Sequence, residues 1–239
     1  FLYNHPGYRK LNFYGGNCLH VIYNLNWLSE DIDLDNSVGM GLSTLENDLL
    51  SFYRSNVRYA DVTAKTQIGE WGVRRTTLKF PILYELGLTS HANEPLHLKV
   101  EVSQHRQISI IRKTPVLLYG RSFVAAHFSL ETMMAGKMLA CLERNFQKGE
   151  GSAIKGRDFY DLLWFMQQKI KPLEEKLFND GHKSYTVQSA MELLGEKIAE
   201  MKISDLAEDL LPLFEQRSFI EAWLEGFKEN FSEYAKYYL

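Results

Sequence analysis

The sequence predicts an α+β chain: a mixed-sheet lobe over residues 1–125, then a helical lobe over residues 126–239. Up to residue 125, apolar residues come in short runs, several alternating with period two and separated by Gly, Pro and Asn turn signals. From residue 127 onward they recur at helical spacing over long stretches. Strands gathered ahead of a run of helices favour α+β layering.

The elements follow in order. Lys10–Tyr14 reads as a short strand stopped by Gly15-Gly16, and Cys18–Leu25 as a short helix. Leu28–Leu34 alternates, with Ser29, Asp31 and Asp33 on one side, and reads as a strand. Ser43-Thr44-Leu45-Glu46 has capping-box spacing ahead of a helix. Gly72–Glu85, Leu96–Ser103 and Ile108–Leu118, the last broken at Pro115, read as strands. Helices are expected at Ser129–Arg144, Arg157–Gln168, Thr186–Met201 and Leu206–Phe214. A last one is opened by Ser218-Phe219-Ile220-Glu221 and striped with Phe219, Trp223, Phe227, Phe231 and Tyr234. Gln147–Gly156 is expected to be a loop.

Composition bounds the function. With 45% apolar residues and 13% aromatic ones the chain has enough for a packed core. A net charge of −3 argues against coating nucleic acid through bulk charge, but allows a local basic patch. The two cysteines, Cys18 and Cys141, sit among apolar residues outside any CxxC or Cys/His cluster, the pattern of reduced thiols in a cytoplasmic protein. His20, His91, His97, His105 and His127 show no ligand spacing and read as structural or surface residues. No apolar run reaches the ~20 residues of a membrane span. FLYNHPGYRK carries neither an initiator Met nor a signal-peptide pattern, so residue 1 is not expected to be the natural start.

The chemistry concentrates in Gly15-Gly16-Asn17 and Ser29-Glu30-Asp31-Ile32-Asp33. Paired glycines between a strand and a helix let backbone approach a ligand, and a helix N-terminus offers N–H groups to phosphate. Asp31 and Asp33, two apart on a strand, face the same way ~6–7 Å apart. Carboxylates that close repel unless a cation neutralises them, and hard oxygen donors suit Mg²⁺ or Mn²⁺. Either half alone is ordinary; their order, strand–GG–helix–strand–DxD, is what points to function. Ala135-Gly136-Lys137-Met138 holds a GK pair but lacks the rest of a P-loop. Lys137, Cys141 and Arg144 share a helix face, and Arg157, Asp158 and Asp161 crowd the next helix start. A surface lysine and a helix-start acid are the plain readings of Lys137 and Asp158; a lysine and an acid facing a triphosphate are the sharper ones.

The arrangement resembles polymerase-β-type nucleotidyltransferases. More narrowly, GGNCLHVIYNLNWLSEDIDLD, LKVEVS, ETMMAGKMLACLER and GRDFYDLLWF resemble, in order, the blocks of the AbiEii/AbiGii toxin family. The resemblance implies a metal-dependent nucleotidyltransferase, the toxin of a bacterial toxin–antitoxin or phage-defence system with a separately encoded antitoxin. Gly15, Gly16, Asn17 and Ser29 would serve the nucleotide. Asp31 and Asp33 would hold the metal with Glu101 as third carboxylate, Lys137 would contact the triphosphate, and Asp158 would complete the site. The chain departs from the pattern at Asn17, where Thr is usual, at Trp27-Leu28, where Arg-Phe is common, and at Glu101, where Asp stands.

An NTP is thus the expected substrate, and RNA (tRNA in some relatives) or protein the expected acceptor. Arg144, Lys148, Lys155 and Arg157 surround the Gly-containing loop and either grip RNA phosphates or solvate a turn. Two other functions stay open: a nucleotide-binding regulatory module without turnover, and a small-molecule nucleotidyltransferase of the antibiotic-modifying kind.

Overall fold

The computed structural model describes residues 1–27, 29, 31–69, 72–104, 106–144 and 154–239. The chain divides into two compact units. The first comprises residues 1–25, 29–106 and 111–127, and the second 26–28, 107–110 and 128–239. The expected boundary near residue 125 is therefore crossed twice by short segments that belong with the helices.

The first unit is built on a mixed seven-stranded sheet of order β3-β4-β5-β2-β1-β7-β6. Its strands are β1 (Asn12–Tyr14), β2 (Asp31–Asp35), β3 (Thr63–Ile68), β4 (Arg74–Phe80), β5 (Leu96–Ser103), β6 (Ile111–Leu118) and β7 (Arg121–Phe128). β1–β7 and β2–β5 pair parallel; β1–β2, β3–β4 and β4–β5 pair antiparallel. Alternation sets the two faces: Leu34, Val100 and Val102 are buried on one, while Asp31, Asp33 and Glu101 emerge on the other. Helix α1 (Gly15–Tyr23) buries Cys18 and Leu19 and ends at Asn24, a left-handed cap whose N–H bonds the carbonyl of His20. Helix α2 (Leu45–Phe52) buries Leu45 and Leu49.

The second unit is helical: α3 (Leu130–Glu143), α4 (Gly156–Gln167), α5 (Glu174–Asp180), α6 (Val187–Glu200), α7 (Ile203–Leu210) and α8 (Arg217–Ala235). Met134, Met138, Leu162, Phe165, Leu206 and Phe227 form its core. Ser129 caps α3 and Thr186 caps α6, each through its side-chain oxygen. The 107–110 strap belongs here by hydrogen bonds: Ser129 N to Ile110 O, Ile110 N to Thr132 Oγ1 and Ile108 N to Asp180 Oδ2. Among the described residues no helix is long and apolar enough to cross a membrane.

Several elements differ from the sequence expectation. α1 begins at Gly15, so the glycines open the helix. The capping boxes at Ser43 and Ser218 do not form: Thr44 makes no cap bond and instead meets Tyr8 Oη at 3.1 Å, and α8 starts after Gln216. β3 was not expected because its apolar alternation is weak, Ala64, Thr66 and Ile68 against Thr63, Lys65 and Gln67; it is an edge strand, pinned by Thr66 Oγ1 to Thr76 Oγ1. β7 and α5 were also missed. Pro115 does not break β6, since an edge strand tolerates a residue without an N–H. Of the expected α8 stripe, Phe227 and Phe231 are buried while Phe219 is exposed. The loop expected from Gln147 lies outside the described residues up to residue 153.

Candidate active site

Register places the acids. Asp33 stands opposite Tyr14 on β1 and opposite Glu101 on β5, and Glu101 stands opposite Arg75 on β4. Residues directly opposite share a face. One row across the sheet therefore reads Arg75, Glu101, Asp33, Tyr14. The neighbouring rows read Thr77, Lys99, Asp31 and Ser103, Asp35, Asn12.

Gly15 is shaped by this row. Its φ is +77°, and a Cβ there would stand 2.2 Å from Asp33 Oδ2. Only glycine lets the chain turn from β1 into α1 with the Asp33 carboxylate against it. The Asn17 amide donates to the carbonyls of Ser29 (3.2 Å) and Asp31 (2.9 Å), tying α1 to the entry of β2. Asp31 Oδ1 is closed to water and makes no hydrogen bond among the described residues; Lys99 Nζ faces it as an ion pair at 3.3 Å. Glu101 is bound by the Arg75 guanidinium.

Two further polar groups enclose the acids, and the sequence reading missed them. Asp35 is buried, accepting from Asn12 Nδ2 at 3.1 Å and Ser37 N at 3.2 Å. Tyr14 is hydrogen-bonded to Ser103; burial, then the charges of Asp33, Asp35 and Glu101, push its phenol up. Cys18 is also pushed up, by burial and by Asp33. Asp35 and Tyr14 were legible as the next steps of two alternations; Arg75 carried no local signal.

The oxygen-rich pair fits a hard divalent cation. Asp31 Oδ1 is held only by its ion pair with Lys99, with no hydrogen bond among the described residues, and Asp33 flanks it on the same face. The third carboxylate is register-matched but turned to Arg75, and among the described residues no three His, Cys, Asp or Glu side chains converge as a ready-made metal site.

In the helical unit, Lys137 and Asp158 do meet. Lys137 Nζ lies 2.7 Å from Asp158 Oδ1 and 2.7 Å from Asp161 Oδ2, Arg144 Nη1 lies 2.6 Å from Asp158 Oδ2, and Trp27 Nε1 donates to Asp161 Oδ1 at 2.8 Å. Both carboxylates are buried. Burial works against the Lys137 ammonium, but the two carboxylates outweigh it and hold its pKa above the usual lysine range. Burial also opposes ionisation of Asp158, yet Lys137 and Arg144 prevail and depress its pKa; at Asp161 burial wins and the pKa rises. Trp27, which stands where relatives of this pattern carry Arg, is thus a donor to a buried acid.

The remaining basic candidates separate. Lys148 lies outside the described residues. Lys155 is half-buried and its pKa is lowered by that burial. Arg157 packs over the Trp27 ring at 5.9 Å and lies 3.7 Å from Asp209. His127 is buried on Thr114 at 2.9 Å, a structural histidine.

The family model described as "Nucleotidyl transferase AbiEii toxin, Type IV TA system" matches residues 1–237. No curated protein matches significantly. Among solved structures, one from H. pylori, described as a candidate nucleotidyltransferase, is similar at 18% identity and a TM-score of 0.52, covering 98% of this chain and 87% of that one. An antigenic nucleotidyltransferase-like protein from Paracoccidioides brasiliensis aligns at 16% identity and a TM-score of 0.43, covering 89% and 88%.

Proposed function

We propose that this chain, which belongs to the AbiEii nucleotidyl transferase toxin family of type IV toxin–antitoxin systems, moves an NMP group from an NTP to a macromolecular acceptor on the sheet face that bears Asp31 and Asp33. The observation that carries the reading is the fit of Asp33 into the space left by Gly15. It presents a carboxylate at the first residue of α1, beside Asp31, whose Oδ1 is ion-paired with Lys99.

Asp31 and Asp33 would hold Mg²⁺ or Mn²⁺, with Glu101 joining them on leaving Arg75. Such an ion offsets triphosphate charge and eases ionisation of the acceptor hydroxyl. The chain's own residues do the rest. Backbone N–H groups at Gly15-Gly16-Asn17 orient the triphosphate at the positive end of α1. The Asn17 amide, already spent on two carbonyls, holds Ser29 and Asp31 in place. A carboxylate oxygen of Glu101 takes the acceptor's hydroxyl proton as its oxygen bonds the α-phosphorus and pyrophosphate leaves. Positioning supplies most of the rate. The resemblance also assigns Lys137 and Asp158 to the nucleotide; each is the other's partner in the helical unit, so a triphosphate contact by Lys137 competes with Asp158.

The family implies an antitoxin; we read it as the product of a separate gene, the toxin as a growth-arrest or phage-defence effector, and RNA such as tRNA as the acceptor, with protein second. The test is mass spectrometry of total RNA and protein after incubation with each labelled NTP. Label should appear on one class and vanish with Asp33→Asn. Bound NTP without transfer would support a regulatory module, and label on small molecules alone an antibiotic-type enzyme.

A further inference from the structure

The first unit segregates charge. Residues 1–29 and 102–130 contain six Lys or Arg and no Asp or Glu, whereas the rest of the chain holds 21 against 30. A protein of net charge −3 thus carries a wholly basic region. The sheet assembles it, since β1 comes from the first stretch and β6 and β7 from the second, and they are neighbours.

Where they meet lies an open groove of about 1040 Å³. Arg9, Lys10 and Lys113 stand on its walls, all exposed, and its lining has no acid. None of the three cations forms an ion pair among the described residues. The floor is apolar: Pro115, Leu117 and Val124, the last two 76% and 52% exposed. It is also held in shape. Tyr3 stacks on Phe123 (5.9 Å, 8°) and donates to Ala126 O at 2.9 Å. Asn12, at the inner edge, donates to Asp35, so the groove opens on the face of the sheet that bears the acids.

We propose that this groove binds single-stranded nucleic acid, with its phosphates on Arg9, Lys10 and Lys113 and its bases on Pro115, Leu117 and Val124. Cations alone would suit any polyanion. An exposed apolar floor between them is of use to unstacked bases, and a duplex, which hides its bases, would leave it wet. The proposal rests on the RNA-acceptor reading above and places the acceptor strand on the sheet unit itself.

The test is fluorescence anisotropy of the whole chain with a labelled ten-nucleotide oligouridine, without NTP or divalent ion, over a range of salt. We expect saturable binding with a log–log salt slope of about −2, since each single-strand phosphate contact contributes about −0.7. Lys10→Ala/Lys113→Ala should remove about 1.4 of that slope and weaken binding at least tenfold; Leu117→Ala should weaken it several-fold at unchanged slope. Melting curves check that these surface variants fold. An RNA duplex of equal length should bind more weakly. No binding by the folded wild type, affinity indifferent to the double substitution, a preference for duplex, or equal capture of a polyglutamate peptide would each overturn the proposal, the last assigning the face to an acidic protein. Because binding is read without NTP, intact binding with no nucleotidyl transfer by wild type sinks only the catalytic reading, and transfer without oligonucleotide binding sinks only the groove.

Discussion

Asp33 Oδ2 occupies the space that any side chain at Gly15 would need, 2.2 Å from where its Cβ would stand. The same glycine carries φ +77°, so two separate penalties fall on one substitution. Gly15→Ala should lose about 1–3 kcal/mol of stability from the backbone alone, plus displacement of the Asp33 carboxylate. Adding Asp33→Ala should recover the steric part and leave the backbone part. Thermal melts of the two single variants and the double variant check this. Additive losses would show that the carboxylate is not held against α1.

Asp31→Asn and Asp33→Asn should each lower nucleotidyl transfer by about 10²–10⁴-fold, the scale of several kcal/mol of transition-state stabilisation. Stability should hold or rise, since Asp31, Asp33 and Asp35 share one face of β2 and one of three like charges is removed, against which Asp31→Asn gives up only a part-exposed pair with Lys99. Transfer of radiolabelled NMP alongside a denaturation curve reads both. Near-wild-type transfer in either variant would remove the carboxylate pair from the mechanism.

Glu101→Gln separates two roles. If the carboxylate accepts the acceptor's proton, transfer should fall and its acid limb should disappear from the pH–rate profile. If Glu101 only anchors Arg75, a half-exposed pair, the profile should keep its shape and stability should change by under ~1 kcal/mol.

How much of this was legible depended on whether a residue's signal is local. Asp31 and Asp33 announce themselves through a two-residue step, and Leu96–Ser103 is a strand with the limits its alternation implies. α3 runs one residue inside its expected ends because Ser129 caps it. By contrast, the partners of these residues are set by register between strands far apart in sequence. Nothing near Glu101 names Arg75, 26 positions away. Trp27 and Asp161 are 134 apart and meet only because residues 26–28 belong with the helices. β3 was illegible for another reason: an edge strand in water has little need of apolar alternation, and in Thr63–Ile68 only Ala64 and Ile68 carry it.

Trp27→Phe keeps an aromatic ring, smaller than the indole, and removes the N–H that Asp161 Oδ1 accepts at 2.8 Å. A buried carboxylate oxygen left without its donor should destabilise the helical unit by about 1–3 kcal/mol. Trp27→Phe/Asp161→Asn should lose less than the sum of the two single variants, because they share one bond. Chemical denaturation of the four proteins in the cycle checks it, and strict additivity would mean that the bond is not made in solution.

Lys137→Met tests the cation between the two carboxylates. As a surface lysine it would be replaced at almost no loss of stability; wedged 2.7 Å from Asp158 and from Asp161, it should not be. Removing one partner of a buried ion pair destabilises by about 3–5 kcal/mol, because the other charges stay buried and uncompensated. The pH dependence should change with it. In the wild type, Asp158 has a depressed pKa, so its contribution is present above the unfolded carboxylate range near 3.8 and is lost as pH falls through the lower folded value. Asp161 is already raised, and loss of Lys137 takes away the group that restrains it. A carboxylate with a raised folded pKa contributes stability below its unfolded pKa and loses it as pH climbs through the folded one. The variant should therefore be most stable in acid and weaken toward neutrality, whereas wild type weakens as pH falls below ~4. Unfolding midpoints from pH 3 to pH 8 read the sign directly. Parallel curves for the two proteins would show that Lys137 is not the counter-ion of this pair.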